Sequence, residues 1–317
     1  MATSDKIAKT QPTETPTKKV VFFGDSLSDH GNNGKYTDAG GKVWSEIFPK
    51  LVYATVSYNY AISESSSDNL EVQISNYLNA SCPETDKAIY SLLTGGNDVK
   101  NDVPNAHINI HNIIDNLESS INKIQSGDKA SAQKQFLVFN LPTTAPAANS
   151  FSRFTHYKIK NWYNEGQVPD NNNDNSFVDM VADTLLEKAS YAVGGILENF
   201  NVLGINPRAY FNQYMEDTNS NYTVSLKNLI CVYRKKHIDV KFIDLAEHHK
   251  QIIENPDVYG VDPGPHCITS EGCENGLYFD LIHFSTKGHE LFAQFVAETL
   301  RHPELQQTWE CNVQDYL

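Results

Sequence analysis

Long apolar segments are missing from this 317-residue chain. A helix that crosses a bilayer needs about 20 apolar residues in succession, so the sequence predicts no transmembrane helix. Positive charge is scarce as well. The chain has 25 Lys and Arg residues against 39 Asp and Glu residues, which gives a formal net charge of −14. A field of that sign repels nucleic acid and strongly anionic membranes. We therefore expect no nucleic-acid partner, whereas neutral esters and zwitterionic lipids stay open as substrates.

Several common active-site signatures are also absent. The chain contains no GxSxG nucleophile elbow, no P-loop lysine spacing and no GxGxxG nucleotide fingerprint. Its Cys and His residues show no zinc-ligand spacing, so we expect no metal site.

Cysteine is sparse, with five residues in the chain. Cys267 and Cys273 lie in a Gly/Pro-rich loop (DPGPHCITSEGCENG), where the spacing favours a local disulfide. Such a bond would imply an oxidising compartment, and we expect a secreted or periplasmic protein. No pairing is assigned to Cys82, Cys231 or Cys311, and a buried free thiol is the simplest interpretation of Cys231 in its apolar, helix-like stretch.

Five short apolar runs, each bounded by turn residues, predict β-strands. They are VVFF (20–23), VSYNYAI (56–62), IYSLLT (89–94), FLVFNL (136–141) and VKFIDL (240–245). Their hydrophobicity is continuous, as in parallel strands covered on both faces. Helical patterns lie between most of them, notably over 110–124 and 177–200. The sequence thus predicts an α/β fold, a three-layer α/β/α sandwich around a mainly parallel five-stranded sheet.

We expect a disordered polar leader over 1–18 and a single domain over 19–317. An Asn/Asp-rich insertion at 161–176 has the length of a binding loop or lid, although a plain disordered insertion explains it equally well. A second candidate rim, rich in aromatic residues, spans 204–223.

Polar clusters follow three successive predicted strands: GDSLSD (24–29), SESSSD (63–68) and GGND (95–98). Functional groups of such sheets gather at the carboxyl ends of the strands. Ser26 is a candidate nucleophile, but a serine hydroxyl needs a base. Asp280 and His283 are three residues apart near the other end of the chain, a spacing that lets the carboxylate orient the imidazole.

An acyl-transfer site also needs hydrogen-bond donors for the developing oxyanion. The Asn97 side-chain amide and the Ser26 backbone N–H are the candidates, with a third donor expected around Ser63 and Glu64. The alternative for each residue is structural: Ser26 as a turn cap, Asn97 as a turn residue, and Asp280 with His283 as a surface ion pair. Asp25 and Asp29 are expected to be structural, and His289 receives no catalytic role.

Together, GDSLSD, NYAI (59–62), GGND and the late D-x-x-H resemble the GDSL esterases of the SGNH-hydrolase superfamily. Further segments, such as FIDLAEHHKQIIENPDVYG and YFDLIHFSTKGH, are similar to secreted bacterial lipases, lysophospholipases A and glycerophospholipid–cholesterol acyltransferases. The resemblance implies a flavodoxin-like sandwich without metal or organic cofactor. It implies Ser26 as nucleophile, His283 as base, Asp280 as its partner and Asn97 as oxyanion donor.

One position departs from the family pattern. The family places a glycine after the second strand as a backbone oxyanion donor, and alignment puts Glu64 there. The backbone N–H survives this replacement, but a carboxylate disfavours an oxyanion unless it points away.

The resemblance implies a serine ester hydrolase that releases fatty acid from phospholipid or lysophospholipid, with acyl transfer as a possible second outcome. Peripheral contact with a lipid surface is expected to accompany this activity. A carbohydrate acetyl esterase is the first alternative, because the same motifs serve both substrates. The second alternative is an inactive, surface-binding module.

Overall fold

The computed structural model describes residues 17–102, 109–142, 207–263, 275–280, 283–302 and Cys311. For 101–102 and 207–215 it describes the backbone alone. Nearly all of the predicted leader, the insertion at 161–176, the predicted helix at 177–200 and the cysteines Cys267 and Cys273 lie outside these residues.

Five parallel strands form one sheet in the order β2–β1–β3–β4–β5. They are β1 (Lys18–Gly24), β2 (Val56–Asn59), β3 (Thr85–Leu93), β4 (Ser131–Phe139) and β5 (Asp239–Ile243). Each coincides with a predicted apolar run, so the five-stranded parallel sheet is confirmed. Because every strand runs the same way, all their carboxyl ends reach the same edge of the sheet.

Helices fill most connections between the strands. The described ones are α1 (Trp44–Leu51), α2 (Leu70–Asn79), α3 (Gly96–Asp102), α4 (Ile110–Gly127), α5 (Pro207–Lys235), α6 (Leu245–Glu254), α7 (Pro256–Tyr259) and α8 (Thr286–Arg301). A 3₁₀ turn, Ser67–Asn69, precedes α2. The helix predicted over 110–124 is α4. No helix among the described residues is long and apolar enough to cross a membrane.

The two faces of the sheet carry separate hydrophobic cores. Val21 and Phe23 of β1 pack with α2, α4 and α5 on one face. Val20 and Phe22 pack with α1, α6 and α8 on the other. Successive side chains of a strand point to opposite faces, so a strand covered on both sides has to be apolar throughout. The predicted three-layer sandwich is therefore confirmed.

One disulfide joins distant parts of the described chain. Cys231, buried in α5, is bonded to Cys311, 80 residues further on. The interpretation of Cys231 as a free thiol was wrong. An apolar helical stretch indicates that a cysteine is buried, but which segment reaches it depends on the tertiary fold. Cys82 is a free thiol.

Candidate active site

Ser26 lies in the sharp turn that follows β1. Gly24 ends the strand with a φ of +133°, and a Cβ there would lie 1.8 Å from the Leu93 carbonyl oxygen, so only glycine fits. The Gln73 side-chain amide bonds both the N–H and the C=O of Gly24, each at 2.8 Å. The amides of Ser28 and Asp29 then donate to the Asp25 carbonyl at 3.0 Å. This frame holds Ser26 at the carboxyl edge of the sheet, with 7% of its surface exposed.

His283 connects Ser26 to Asp280. Its Nε2 lies 2.8 Å from Ser26 Oγ, and its Nδ1 lies 2.7 Å from Asp280 Oδ2. The His283 backbone N–H also donates to Asp280 Oδ1 at 2.7 Å. The carboxylate therefore holds both the backbone and the ring of the histidine, which fixes the proton on Nδ1 and leaves Nε2 to accept one from the serine.

The turn that carries this pair is anchored immediately before α8. The Phe279 amide donates to the His283 carbonyl at 2.9 Å, and the Ser285 amide donates to the Leu277 carbonyl at 3.0 Å. The Ser285 hydroxyl then caps α8 by accepting from the Gly288 amide. These bonds hold Phe279 and His283 together and attach both to the start of α8.

Tyr36 covers one face of the His283 ring. The two ring centroids are 4.2 Å apart and the planes are within 14° of parallel. No sequence motif indicated this contact, because Tyr36 lies outside all four motifs. An aromatic face next to an imidazole stabilises the ring when it carries positive charge.

Asn97 lies in the first turn of α3, close to the loop that follows β2. One N–H of its side-chain amide donates to the Ser65 carbonyl at 2.9 Å, which orients the amide and leaves its second N–H for another acceptor. Asp98 strengthens the connection by accepting from the Ser67 amide and hydroxyl. Ser63, from the same loop, donates through its amide and hydroxyl to Asp29. Asp29 thus has the structural role expected of it.

Glu64 adopts a left-handed backbone conformation, with a φ of +66°. Glycine favours that region and other residues rarely enter it, which agrees with the alignment of Glu64 to the family's glycine. Its Oε2 lies 2.6 Å from Lys100 Nζ. Lys100 belongs to no recognised motif, although its position three residues after Asn97 on α3 indicates the same side of that helix.

A cleft opens beside Ser26. Leu27, Leu141 and Pro142 supply apolar walls, and Asp25, Asn97 and Lys100 supply the polar ones. Burial raises the pKa of Asp25 to about 7, although a hydrogen bond from the Leu27 amide and the nearby His283 oppose the shift. The cleft therefore combines apolar walls with polar side chains beside the candidate nucleophile.

Three further histidines are buried in the packing around α6 and α8. Burial lowers the pKa of His248 and of His249 to about 4 and that of His289 to about 3. His248 stacks on Phe295, and His249 contacts the Tyr278 hydroxyl. Among the described residues, no three His, Cys, Asp or Glu side chains are grouped to hold a metal ion.

The model of the GDSL-like lipase/acylhydrolase family matches residues 20–296. The chain belongs to that family. It is a carboxylic ester hydrolase, and the family match spans the segments that carry Ser26, Asn97, Asp280 and His283. No curated protein matches this chain.

Solved structures similar to this chain include a catalytic mutant of an acetylxylan esterase from Geobacillus stearothermophilus. It is 13% identical over 90% of this chain and 95% of its own, with a TM-score of 0.45. A lipolytic G-D-S-L family protein from Veillonella parvula is 13% identical over 90% of this chain and 99% of its own, with a TM-score of 0.42.

Proposed function

We propose that this family member is a serine lipid esterase that releases fatty acid from lysophospholipid or phospholipid through an acyl-enzyme. The observation that carries the chemistry is the position of His283 between Ser26 and Asp280. The lipid assignment is supported by the apolar walls of the cleft. It is further supported by the exposed aromatic ring of Phe279, next to Asp280.

The first half of the reaction forms the acyl-enzyme. His283 Nε2 takes the hydroxyl proton as Ser26 Oγ bonds to the ester carbonyl carbon, and the carbonyl oxygen becomes an oxyanion. The free N–H of Asn97 and the backbone N–H groups of Ser26 and Glu64 receive that oxyanion. Asp280 stabilises the imidazolium through Nδ1, and Tyr36 does so through its ring face. The carbon–oxygen bond to the alcohol then breaks, and the leaving oxygen takes the proton from Nε2.

The second half returns the enzyme to its starting state. His283 removes a proton from water, the hydroxide bonds to the acyl carbon, and the bond to Ser26 Oγ breaks with transfer of the proton back to the serine. The product is a free fatty acid. A second alcohol in place of water gives acyl transfer with the same bond changes.

A substrate panel tests this assignment. Purified protein and the Ser26→Ala variant are assayed with lysophosphatidylcholine, phosphatidylcholine, p-nitrophenyl butyrate and acetylated xylose, with and without a sterol acceptor. We expect fatty acid release from the lipids, with kcat/KM above that for the acetylated sugar. Activity on acetylated sugar alone would identify a carbohydrate acetyl esterase. Equal, slow rates for wild type and variant on all substrates would identify a binding module.

We also propose that the protein is secreted or periplasmic and works in an oxidising compartment. There it makes peripheral contact with a zwitterionic lipid surface. The Cys231–Cys311 disulfide supports this proposal, because disulfides persist mainly in such compartments. Cell fractionation with an antibody tests it. Recovery in the reduced cytosol with free Cys231 would contradict it.

A further inference from the structure

We propose that Lys100 is a positioning residue for the oxyanion hole, whose ammonium group holds the Glu64 carboxylate away from the oxyanion formed at Ser26. This inference rests on the acyl-transfer mechanism proposed above. It explains how a carboxylate-bearing residue takes the place of the family's glycine.

The backbone at Glu64 retains the glycine-like conformation. Its φ of +66° is unfavourable for a residue with a Cβ, yet the surrounding loop enforces it. Ser63, the preceding residue, is bound through its amide and hydroxyl to Asp29. The following residue, Ser65, is bound through its carbonyl to Asn97. The loop therefore keeps a glycine-like backbone at a position whose side chain is chemically unfavourable.

The negative charge of the Glu64 side chain is what makes this residue unfavourable beside an oxyanion. A glutamate carboxylate cannot lie more than about 6 Å from the amide nitrogen of the same residue, given ordinary bond lengths. If that amide donates to the oxyanion over about 2.9 Å, the two negative charges lie no more than about 9 Å apart. Their repulsion in a partly water-excluded site opposes the transition state.

Lys100 provides the countercharge at the right place. Its Nζ lies 2.6 Å from Glu64 Oε2, and its side chain is 11% exposed while that of Glu64 is 61% exposed. Lys100 also lines the cleft beside Ser26 and Asn97. The cation thus lies on the cleft side of the pair and the carboxylate is drawn toward solvent, so the pair presents its positive end to the reacting atoms.

The electrostatic role can be separated from loop anchoring. The contacts of Asn97 with Ser65 and of Asp98 with Ser67 attach the loop to α3 without Lys100. Removal of the ammonium group should therefore change the charge near the oxyanion more than the position of the loop.

A double-mutant cycle tests the proposal with p-nitrophenyl butyrate, which reports the chemistry whatever the natural lipid. The variants are Lys100→Met, Glu64→Gln and the double variant, each checked for an unchanged circular dichroism spectrum. We expect Lys100→Met to lower kcat about tenfold with little change in KM. In the Glu64→Gln background, the same change at Lys100 should alter kcat less than about twofold. Added salt should partly restore kcat in Lys100→Met alone, because it screens the exposed carboxylate.

Equal losses of kcat in the two backgrounds would overturn the proposal, since Lys100 would then act on the oxyanion directly or through packing. No loss in either background would overturn it as well. Wild type and Ser26→Ala, assayed in parallel, separate this outcome from failure of the proposed function. If Ser26→Ala is inactive and the cycle shows no coupling, the role of Lys100 alone is wrong. If Ser26→Ala equals wild type, the serine mechanism itself is wrong.

Discussion

The hydroxyl of Ser26 and the Nε2 atom of His283 are 2.8 Å apart, although 257 residues separate them in sequence. The serine follows the first strand, and the histidine precedes the last described helix. The parallel sheet brings them together because its strand ends and the turn before α8 share one edge. This contact is the basis of the proposed mechanism and of the first prediction.

Ser26→Ala should lower kcat for p-nitrophenyl butyrate by about 10⁴-fold or more, because the acyl-enzyme cannot form. Ser28→Ala is the matched control, since Ser28 lies in the same turn but its hydroxyl accepts from Trp44 Nε1. That variant should lose about 1–2 kcal/mol of stability with kcat within about threefold of wild type. Steady-state kinetics and denaturant unfolding measure the two effects. Similar losses of kcat in both variants would contradict the assignment of Ser26.

Tyr36→Leu should lower kcat about two- to fivefold, because the aromatic face that stabilises the His283 imidazolium is removed. Tyr36→Phe keeps the ring and should retain nearly the wild-type kcat. The comparison uses one soluble ester and the same assay for both variants. Equal losses in Leu and Phe variants would assign the effect to the tyrosine hydroxyl instead of the stack.

Stability should fall as the pH decreases from about 6.5 to about 4. Burial lowers the pKa values of His248, His249 and His289 into the range of about 3 to 4. Between these values and about 6.5, the three histidines are protonated in the unfolded chain and neutral in the folded chain. Asp25 acts in the opposite direction, because its pKa is raised to about 7 and the folded chain keeps a proton that the unfolded chain loses. The three histidines outweigh it, and the free energy of unfolding should drop by about 5 kcal/mol between pH 7 and pH 4.

His248→Leu tests the source of this dependence. It should reduce the slope of unfolding free energy against pH by about one proton in that range, whatever its effect on stability at pH 7. Replacement of the exposed His30 by Gln is the matched histidine control. Urea unfolding at half-unit pH steps gives the slopes. An unchanged slope in His248→Leu would show that this histidine does not contribute.

Cys311→Ala should lower the free energy of unfolding by about 2–4 kcal/mol, because the bond to Cys231 closes a long loop in the unfolded chain. The change lies apart from the contacts of Ser26, and kcat at 25 °C should be nearly unchanged. Dithiothreitol should destabilise wild type more than this variant. Any remaining effect of the reductant on Cys311→Ala would report the second bond predicted between Cys267 and Cys273. Equal stability of variant and wild type would contradict the prediction.

The sequence predicted the scaffold well because its signals are local. A strand buried on two faces must be apolar at successive positions, and VVFF of β1 shows this in four residues. The polar clusters after β1, β2 and β3 then had to meet, since parallel strands end at one edge. Asp280 and His283 were recognisable as a pair because they lie only three positions apart in the sequence.

The sequence alone therefore determined where the strands lie along the chain and which reactive side chains are available at the edge of the sheet. The tertiary structure alone decided which distant side chains complete that chemistry and the core. Tyr36 against His283, Lys100 against Glu64 and Cys231 against Cys311 are contacts between segments with no shared periodicity or motif. Such contacts depend on how packed helices and loops are finally arranged, and no short stretch of sequence encodes that arrangement by itself.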